Sequence, residues 1–159
     1  MKSEKRRQLL FGAAAFLWMI MIFCLSGRPA DLSDNDSGFF TQIAVRVLYP
    51  GYRGWDRARQ MAILSATDKV VRKSAHFGEY FILCVLYYKT LSISVRKALA
   101  ASAALAVLYA VSDELHQYFV PGRAAMAADV LIDSSGVLLA VLVILIIRRH
   151  RPAISSDRK

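Results

Sequence analysis

The chain is poor in cysteine and in recognisable catalytic motifs. Its 159 residues include two cysteines, Cys24 and Cys84, each in an apolar run without a second cysteine at metal-ligand spacing. We therefore expect both to be buried small hydrophobic residues rather than metal ligands. The sequence also lacks a Gly-rich phosphate loop, a nucleophilic serine turn and an internal repeat. At this length the chain makes one domain.

Acidic residues are scarce as well, and apolar residues are abundant. The chain has 12 acidic residues against 21 basic ones, and 56% of it is hydrophobic, which is high for a small soluble domain. A transmembrane helix needs about 20 mostly apolar residues. Four runs approach that length, at about residues 9–25, 75–91, 97–114 and 130–147. We predict an all-α membrane protein in which residues 1–150 form one four-transmembrane-helix bundle, followed by a cytoplasmic tail at 151–159.

The first apolar run has an alternative interpretation as a cleaved secretory signal. Its apolar core is longer than the roughly 7–15 residues typical of a signal, and "SGRPADL" after it offers no small-x-small cleavage site. A lipoprotein signal is disfavoured because Ile22-Phe23, rather than small residues, precede Cys24. We interpret the run as a retained anchor.

The distribution of charge predicts the orientation in the membrane. The first tail, the loop between the second and third runs, and the last tail carry twelve basic and two acidic residues, a net charge of +10. The remainder carries nine basic and ten acidic residues, a net charge of −1. By the positive-inside rule both termini are cytoplasmic. The basic residues flank the spans and form no separate module, which excludes a nucleic-acid-binding role.

The first outer segment, residues 26–72, is predicted to contain two short helices. Apolar residues at helical spacing begin at Phe39 after an Asp-Asn-Asp-Ser cluster and stop at Tyr49-Pro50-Gly51. A second helix is expected at about 55–65, and the second span is expected to begin separately, with Thr67 or Asp68 as its cap. The short helices either lie in the membrane interface or cover the outer mouth of the bundle as a lid.

Polar residues gather at the outer ends of three predicted spans. They number ten ionisable or amide side chains, or eleven residues with Tyr80. One helix carries Lys73, His76, Glu79 and Tyr80; the next carries Asp113, Glu114, His116 and Gln117; Arg123, Asp129 and Asp133 follow. Charged groups in a span normally face the bundle interior or a water-filled cavity. Buried charge pairs can fix helix register, but so many groups at one mouth favour a functional site. Below them, Gly136-x-x-x-Ala140 predicts a close helix-packing face.

The same residues resemble a known family. "DKVVRKSAHFGEYFIL" and "SDELHQYFVPGRAAMAADVLIDSSG" are similar to the VanZ-like family of small bacterial membrane proteins. The shared pattern is a Lys/His-Phe-x-x-Tyr element, Asp-Glu-x-x-Gln with a downstream Gly-Arg, and Asp-x-x-x-Asn/Asp-x-x-Gly. The loop "FCLSGRPADLSDNDSG" is similar too, although family members often have Ser-Gln in place of Gly27-Arg28. The similarity covers nearly the whole chain.

The resemblance implies an association with low-level resistance to teicoplanin-type glycopeptides, without rewriting of peptidoglycan precursors. Some members have been labelled acyltransferase-like, and the residues here give no support for that chemistry. Two classes of function stay open. The first is an enzyme acting on an outer-leaflet lipid or lipid-linked headgroup. The second is a non-catalytic protein that binds the drug or a precursor headgroup, or limits anchoring of the lipid-tailed drug.

In the enzymatic interpretation, Lys73 and Arg123 hold a phosphate, and His76 or His116 is a general acid or base oriented by Glu79 or Asp113. The predicted catalytic residues are His76, Glu79, Asp113, Glu114 and His116. The predicted substrate-binding residues are Lys73, Tyr80, Gln117, Arg123, Asp129 and Asp133. No cofactor is expected; a metal-dependent variant would use His76, Glu79, His116 and an aspartate. The expected partners are the bilayer and a lipid, lipid-linked or lipoglycopeptide headgroup, and not nucleic acid.

Overall fold

A computed structural model of the chain describes residues 2–91, 93–123 and 126–150, without the side chains of 30–37. This part of the chain is all-helical and contains five α-helices and no strand. A single 3-10 turn, Tyr52–Gly54, connects the second helix to the third. The helices are α1 (Lys2–Ser26), α2 (Ala30–Leu48), α3 (Arg57–Thr90), α4 (Val95–Tyr118) and α5 (Ala127–His150).

Helix α3 is a single helix of 34 residues, so the prediction of a separate short helix at 55–65 is wrong. Asp56 caps it, because its carboxylate accepts a hydrogen bond of 2.9 Å from the backbone N–H of Arg59. The expected cap at Thr67 or Asp68 is also wrong. Asp68 lies inside α3 and accepts a hydrogen bond of 2.9 Å from the Thr41 hydroxyl of α2.

Helix α2 is longer than predicted at its start, and it has two faces. It begins at Ala30, before the Asp-Asn-Asp-Ser cluster expected to cap it, and it ends at Leu48, as expected. One face packs on α3, where Thr41 and Val45 are buried. The opposite face leaves Phe39 and Phe40 largely exposed. The helix is therefore amphipathic, with an apolar face that the rest of the described chain does not cover.

Helix α3 lies at the centre of the bundle and contacts the other four helices. Its C-terminal half contributes Tyr80, Leu83 and Cys84 to the main hydrophobic core. The complete core cluster consists of Ile22, Tyr80, Leu83, Cys84, Ala106, Ala110, Val137 and Ala140. Residues of α1, α3, α4 and α5 thus share one core, which holds the polar residues at the ends of these helices in fixed register.

Helices α3 and α5 approach each other closely at Gly136. A Cβ atom placed on Gly136 would overlap the backbone carbonyl oxygen of Phe77. Ala140, one turn further along α5, is fully buried in the core. The predicted packing face Gly136-x-x-x-Ala140 is confirmed, because its small side chains let the two backbones meet.

Two hydrogen bonds to backbone carbonyls attach α1 to the bundle. The Trp18 indole N–H donates to the carbonyl of Glu79 at 3.0 Å, and the Tyr109 hydroxyl donates to the carbonyl of Met19 at 2.7 Å. With Ile22 fully buried in the shared core, α1 is an integral part of the packed bundle.

The flanks of the bundle are apolar. Helices α1, α4 and α5 are long and apolar enough to cross a membrane, whereas α3, which contains residues 75–90 of the predicted span 75–91, does not meet that criterion. The exposed residues of α1, α4 and α5 include Leu9, Phe16, Leu17, Leu105, Leu108, Leu138, Leu142 and Leu145. Apolar surface of this extent is typical of a membrane protein. Cys84 is buried as predicted, but the prediction is wrong for Cys24, which is exposed on α1.

Candidate functional site

A polar cavity of about 460 Å³ opens at the end of the bundle where α4 connects to α5. We call this the polar end. The cavity wall comes from α3, from the last turn of α4, from the α4–α5 connection and from the first turns of α5. It consists of Ser65, Asp68, Lys69, Arg72, Lys73, His76, Gln117, Gly122, Arg123, Met126, Asp129, Ile132 and Asp133. Four of these side chains are cationic and three are carboxylates, so the cavity offers both signs of charge.

An ion pair between α3 and α5 stands at the rim of the cavity. The Lys73 ammonium donates to Oδ1 of Asp129 at 2.8 Å, and both side chains are partly exposed. Since water reaches both groups, an incoming anion can compete with Asp129 for the ammonium.

A chain of hydrogen bonds leads from α1 to the cavity. The Ser26 hydroxyl and the Gln117 amide both donate to Oδ2 of Asp113, at 2.8 and 3.0 Å. The Arg123 guanidinium donates to the amide oxygen of Gln117 at 2.9 Å. Ser26, Asp113 and Gln117 are buried, where hydrogen bonds to a charged group are strong. The chain fixes the direction in which Arg123 presents its guanidinium to the cavity.

His76 lines the cavity with a carboxylate behind it. Its Nδ1 lies 3.7 Å from Oε2 of Glu79, one turn further along α3. The Glu79 side chain is 15% exposed and is not part of the cavity wall. This spacing permits an electrostatic contact that orients the imidazole, but it is too long for a hydrogen bond.

The connection from α4 to α5 is held by Glu114. Its carboxylate accepts a hydrogen bond of 3.3 Å from the backbone N–H of Met126, just before α5 begins. Gly122 allows the reversal with a φ of 77°, a conformation that residues with a side chain rarely adopt. The cavity wall does not include Glu114, which is 6% exposed. Its contact shapes the loop that carries Arg123.

His116 faces α1 rather than the cavity. Its ring stacks on Phe23, with centroids 4.2 Å apart and planes 8° from parallel. A Cβ on Gly27 would lie 3.2 Å from Cε1 of His116, so that glycine leaves room for the ring. The sequence pattern places His116 with the other polar side chains at one mouth, but His116 does not line the cavity.

Asp133 and Tyr80 are the most deeply buried of the predicted site residues. Asp133 is 2% exposed, contributes to the cavity wall, and its Oδ1 has no hydrogen-bond partner among the described residues. The Tyr80 hydroxyl is buried beside Asp113 without reaching hydrogen-bond geometry. Tyr80 belongs to the core instead of the cavity wall.

The structure thus brings together six of the eleven predicted site residues around one cavity. These are Lys73, His76, Gln117, Arg123, Asp129 and Asp133. Glu79, Asp113, Glu114 and Tyr80 lie behind its wall, and their predicted roles, like those of the six, stay predictions. Sequence reasoning missed Ser26, which holds Asp113, and Arg72, which lines the cavity. Both lie within segments that carry the family resemblance, but neither residue type at such a position predicts which residue it contacts.

The described part of the chain contains no group of three or more His, Cys, Asp or Glu side chains arranged to hold a metal ion. The set considered for a metal-dependent variant, His76, Glu79, His116 and an aspartate, is divided between the cavity and the side of α1.

A comparison with protein families identifies one to which the chain is similar. The family model described as VanZ/LLP1 matches residues 11–148, a range that includes every residue lining the cavity. Neither a search of curated proteins nor a search of solved structures returned a match. The matched range includes the segments from Lys73 on α3 to Gly136 on α5 that meet around the cavity and the α3–α5 contact. The chain belongs to the VanZ/LLP1 family.

Proposed function

We propose that the protein crosses the cell membrane of a bacterium four times, with both termini in the cytoplasm and the polar end outside. The C-terminal half of α3 packs among α1, α4 and α5, which are apolar enough to span. A helix surrounded by spanning helices can carry polar residues, because these face the bundle interior. The net charge of +10 belongs, in sequence, to the start of α1, the region where α3 connects to α4, and the chain from the end of α5 onward. The positive-inside rule assigns such segments to the cytoplasm.

Reporter fusions test this topology. A reporter that is active only in the cytoplasm should work when fused after Lys159, and one that is active only outside should work when fused after Asp36. The charge asymmetry is the physical reason. A C-terminus found outside the cell would overturn both the orientation and the outward-facing cavity.

We further propose that the cavity binds the phosphate-containing headgroup of an envelope lipid or a lipid-linked precursor. The observation that carries this is a cavity of about 460 Å³ with Lys69, Arg72, Lys73 and Arg123 in its wall, at the end of a bundle with apolar flanks. Lysine supplies a mobile point charge and arginine a planar fork, the two groups that best bind phosphate. The apolar flanks leave room for the acyl or isoprenoid tail of the same molecule in the bilayer.

The geometry supports binding better than catalysis. Of the five residues predicted as catalytic, the cavity wall includes His76, whereas Asp113 is engaged by Ser26 and Gln117, and Glu114 by the Met126 N–H. These contacts hold groups in place rather than presenting them to a substrate. The resistance that the family suggests then follows from sequestering or masking a headgroup at the outer surface. Protection should rise in proportion to the amount of protein, whereas a catalyst would act at low copy number.

The binding proposal predicts a loss of affinity when a cavity cation is neutralised. With purified protein in detergent, short-chain phosphatidic acid should bind more tightly than diacylglycerol of the same chain length. Lys73→Gln and Arg123→Gln should each weaken that binding by about tenfold, because each removes a charge-assisted hydrogen bond. A fluorescence or calorimetric titration measures this.

The matched control is Arg46→Gln. Arg46 is an exposed cation near the end of α2 that lines a separate cavity of about 180 Å³. Its loss should leave the affinity for phosphatidic acid within about twofold of the wild-type value. If phosphatidic acid binds no better than diacylglycerol, or if all three substitutions act equally, the cavity is not a phosphate site.

A further inference from the structure

Asp133 is a cavity carboxylate whose burial leaves one of its oxygens without a hydrogen-bond partner in the described part of the chain. It is 2% exposed, and its Oδ1 has no hydrogen-bond partner among the residues described. The other two cavity carboxylates differ, since Asp129 accepts from Lys73 and Asp68 accepts from Thr41. A buried carboxyl oxygen without a donor is costly, and the cost is higher at membrane depth.

The surroundings of Asp133 favour a cation over any other donor. The carboxyl groups of Glu79, Asp113, Glu114 and Asp129 all lie within electrostatic range of it. Lys73, on the rim, is already paired with Asp129. A positive group entering beside Asp133 would therefore be attracted by several carboxyl groups at once in a poorly screened environment.

The depth of Asp133 relative to the rim sets the shape of a ligand that could reach it. Asp129 and Asp133 are four residues apart on α5, which is about 6 Å along the helix axis. We call Lys73 and Arg123 the rim cations. They belong to the same cavity wall as the inner carboxyl group of Asp133. A phosphate at the rim and an amine joined to it by a two-carbon link would contact both.

We propose that the cavity selects a zwitterionic headgroup of the phosphoethanolamine type, with its phosphate on the rim cations and its primary ammonium donating to Asp133. The assignment rests on the proposed phosphate site and specifies which phosphate-containing headgroup that site takes. The ammonium supplies the donor that Oδ1 lacks, and its positive charge stabilises the ionised form of the buried carboxyl group. An anionic headgroup without an amine would bind the rim cations but would leave Oδ1 of Asp133 without a hydrogen-bond donor.

The test compares short-chain phosphatidylethanolamine, phosphatidylglycerol and diacylglycerol with identical acyl chains, titrated into the purified full-length protein. We expect phosphatidylethanolamine to bind about tenfold more tightly than phosphatidylglycerol, the effect of one hydrogen bond between charged groups. In Asp133→Asn the two phospholipids should bind within about twofold of each other. The ratio within each protein serves as the internal control for any change in folded fraction.

The outcomes separate the two proposals. If neither phospholipid binds better than diacylglycerol, the phosphate site itself is refuted. If both phospholipids bind better than diacylglycerol but with equal affinity in the wild type, the phosphate site stands and selection of the ammonium by Asp133 is refuted. Tighter binding of phosphatidylglycerol, abolished by Asp133→Asn, would assign a hydroxyl as the donor and would also overturn the ammonium. The wild-type comparison decides even if Asp133→Asn fails to fold.

Discussion

Gly136→Val should prevent the chain from accumulating as a folded bundle, and Gly136→Ala should destabilise it by about 1–3 kcal/mol. The reason is the contact between α3 and α5, where a Cβ on Gly136 would overlap the Phe77 carbonyl oxygen. Backbone atoms cannot rotate away as a flexible side chain can, so the helices would have to separate. Because α3 is central and α5 forms part of the cavity wall, that separation would open both the core and the cavity.

Gly78 provides the matched control for this prediction. It lies on α3 next to Phe77, and a Cβ there meets nothing within 4 Å. Gly78→Ala should therefore be tolerated and should stabilise the helix by roughly 0.5–1 kcal/mol, since alanine loses less backbone entropy. Thermal unfolding in detergent and the monodisperse fraction after gel filtration measure both variants. Equal stability of Gly136→Ala and wild type would contradict the close α3–α5 contact.

Asp113→Ala should reduce phosphatidic acid binding by more than tenfold and lower stability at the same time. The substitution leaves the buried Ser26 hydroxyl and Gln117 amide without their shared acceptor. Each buried donor left unpaired costs about 1–3 kcal/mol. It also releases Gln117, which accepts from Arg123, so the guanidinium loses its orientation. Asp113 thus acts as a positioning residue for Arg123.

Substitutions at the two ends of this hydrogen-bond chain should separate stability from binding. Ser26→Ala removes the bond on the α1 side and should lower the melting temperature while changing affinity by less than about threefold. Gln117→Met removes the contact to Arg123 and should lower affinity about as much as Arg123→Gln does. Titration and thermal unfolding of each variant measure the split. If Ser26→Ala and Gln117→Met lose affinity and stability in the same proportion, the chain is a structural support and does not orient Arg123.

Hydropathy predicted the helices whose exposed sides are apolar. The predicted spans 9–25, 97–114 and 130–147 lie within α1, α4 and α5, because long apolar runs have few alternatives to a helix. The connections between elements were harder to predict. Asp56 and Asp68 are equally good caps by residue type, and the choice depends on the tertiary contact that occupies Asp68 through Thr41. The pattern of residue types alone does not predict that contact.

The cavity could be predicted to the extent that helical spacing groups its residues. Lys73 and His76 are three residues apart on α3, and Asp129 and Asp133 are four apart on α5, so each pair shares a face. Spacing does not say which neighbour a face meets. His116 shares a face with Asp113, and it nevertheless stacks on Phe23 of α1. Ser26 escaped prediction because a serine at a helix end usually bonds to a nearby backbone group.

Headgroup-resolved mass spectrometry of the amphiphiles that the protein retains after purification from its own membrane tests directly whether the cavity binds a phosphate-containing headgroup. We expect wild type and Arg46→Gln both to retain one phosphate-containing amphiphile that is enriched relative to the bulk membrane. The double variant Lys73→Gln/Arg123→Gln should lose that enrichment, because both rim cations are gone. Retention of the same enriched species by the double variant, or a wild-type profile identical to the bulk membrane, would contradict the proposal that the cavity binds a phosphate-containing headgroup.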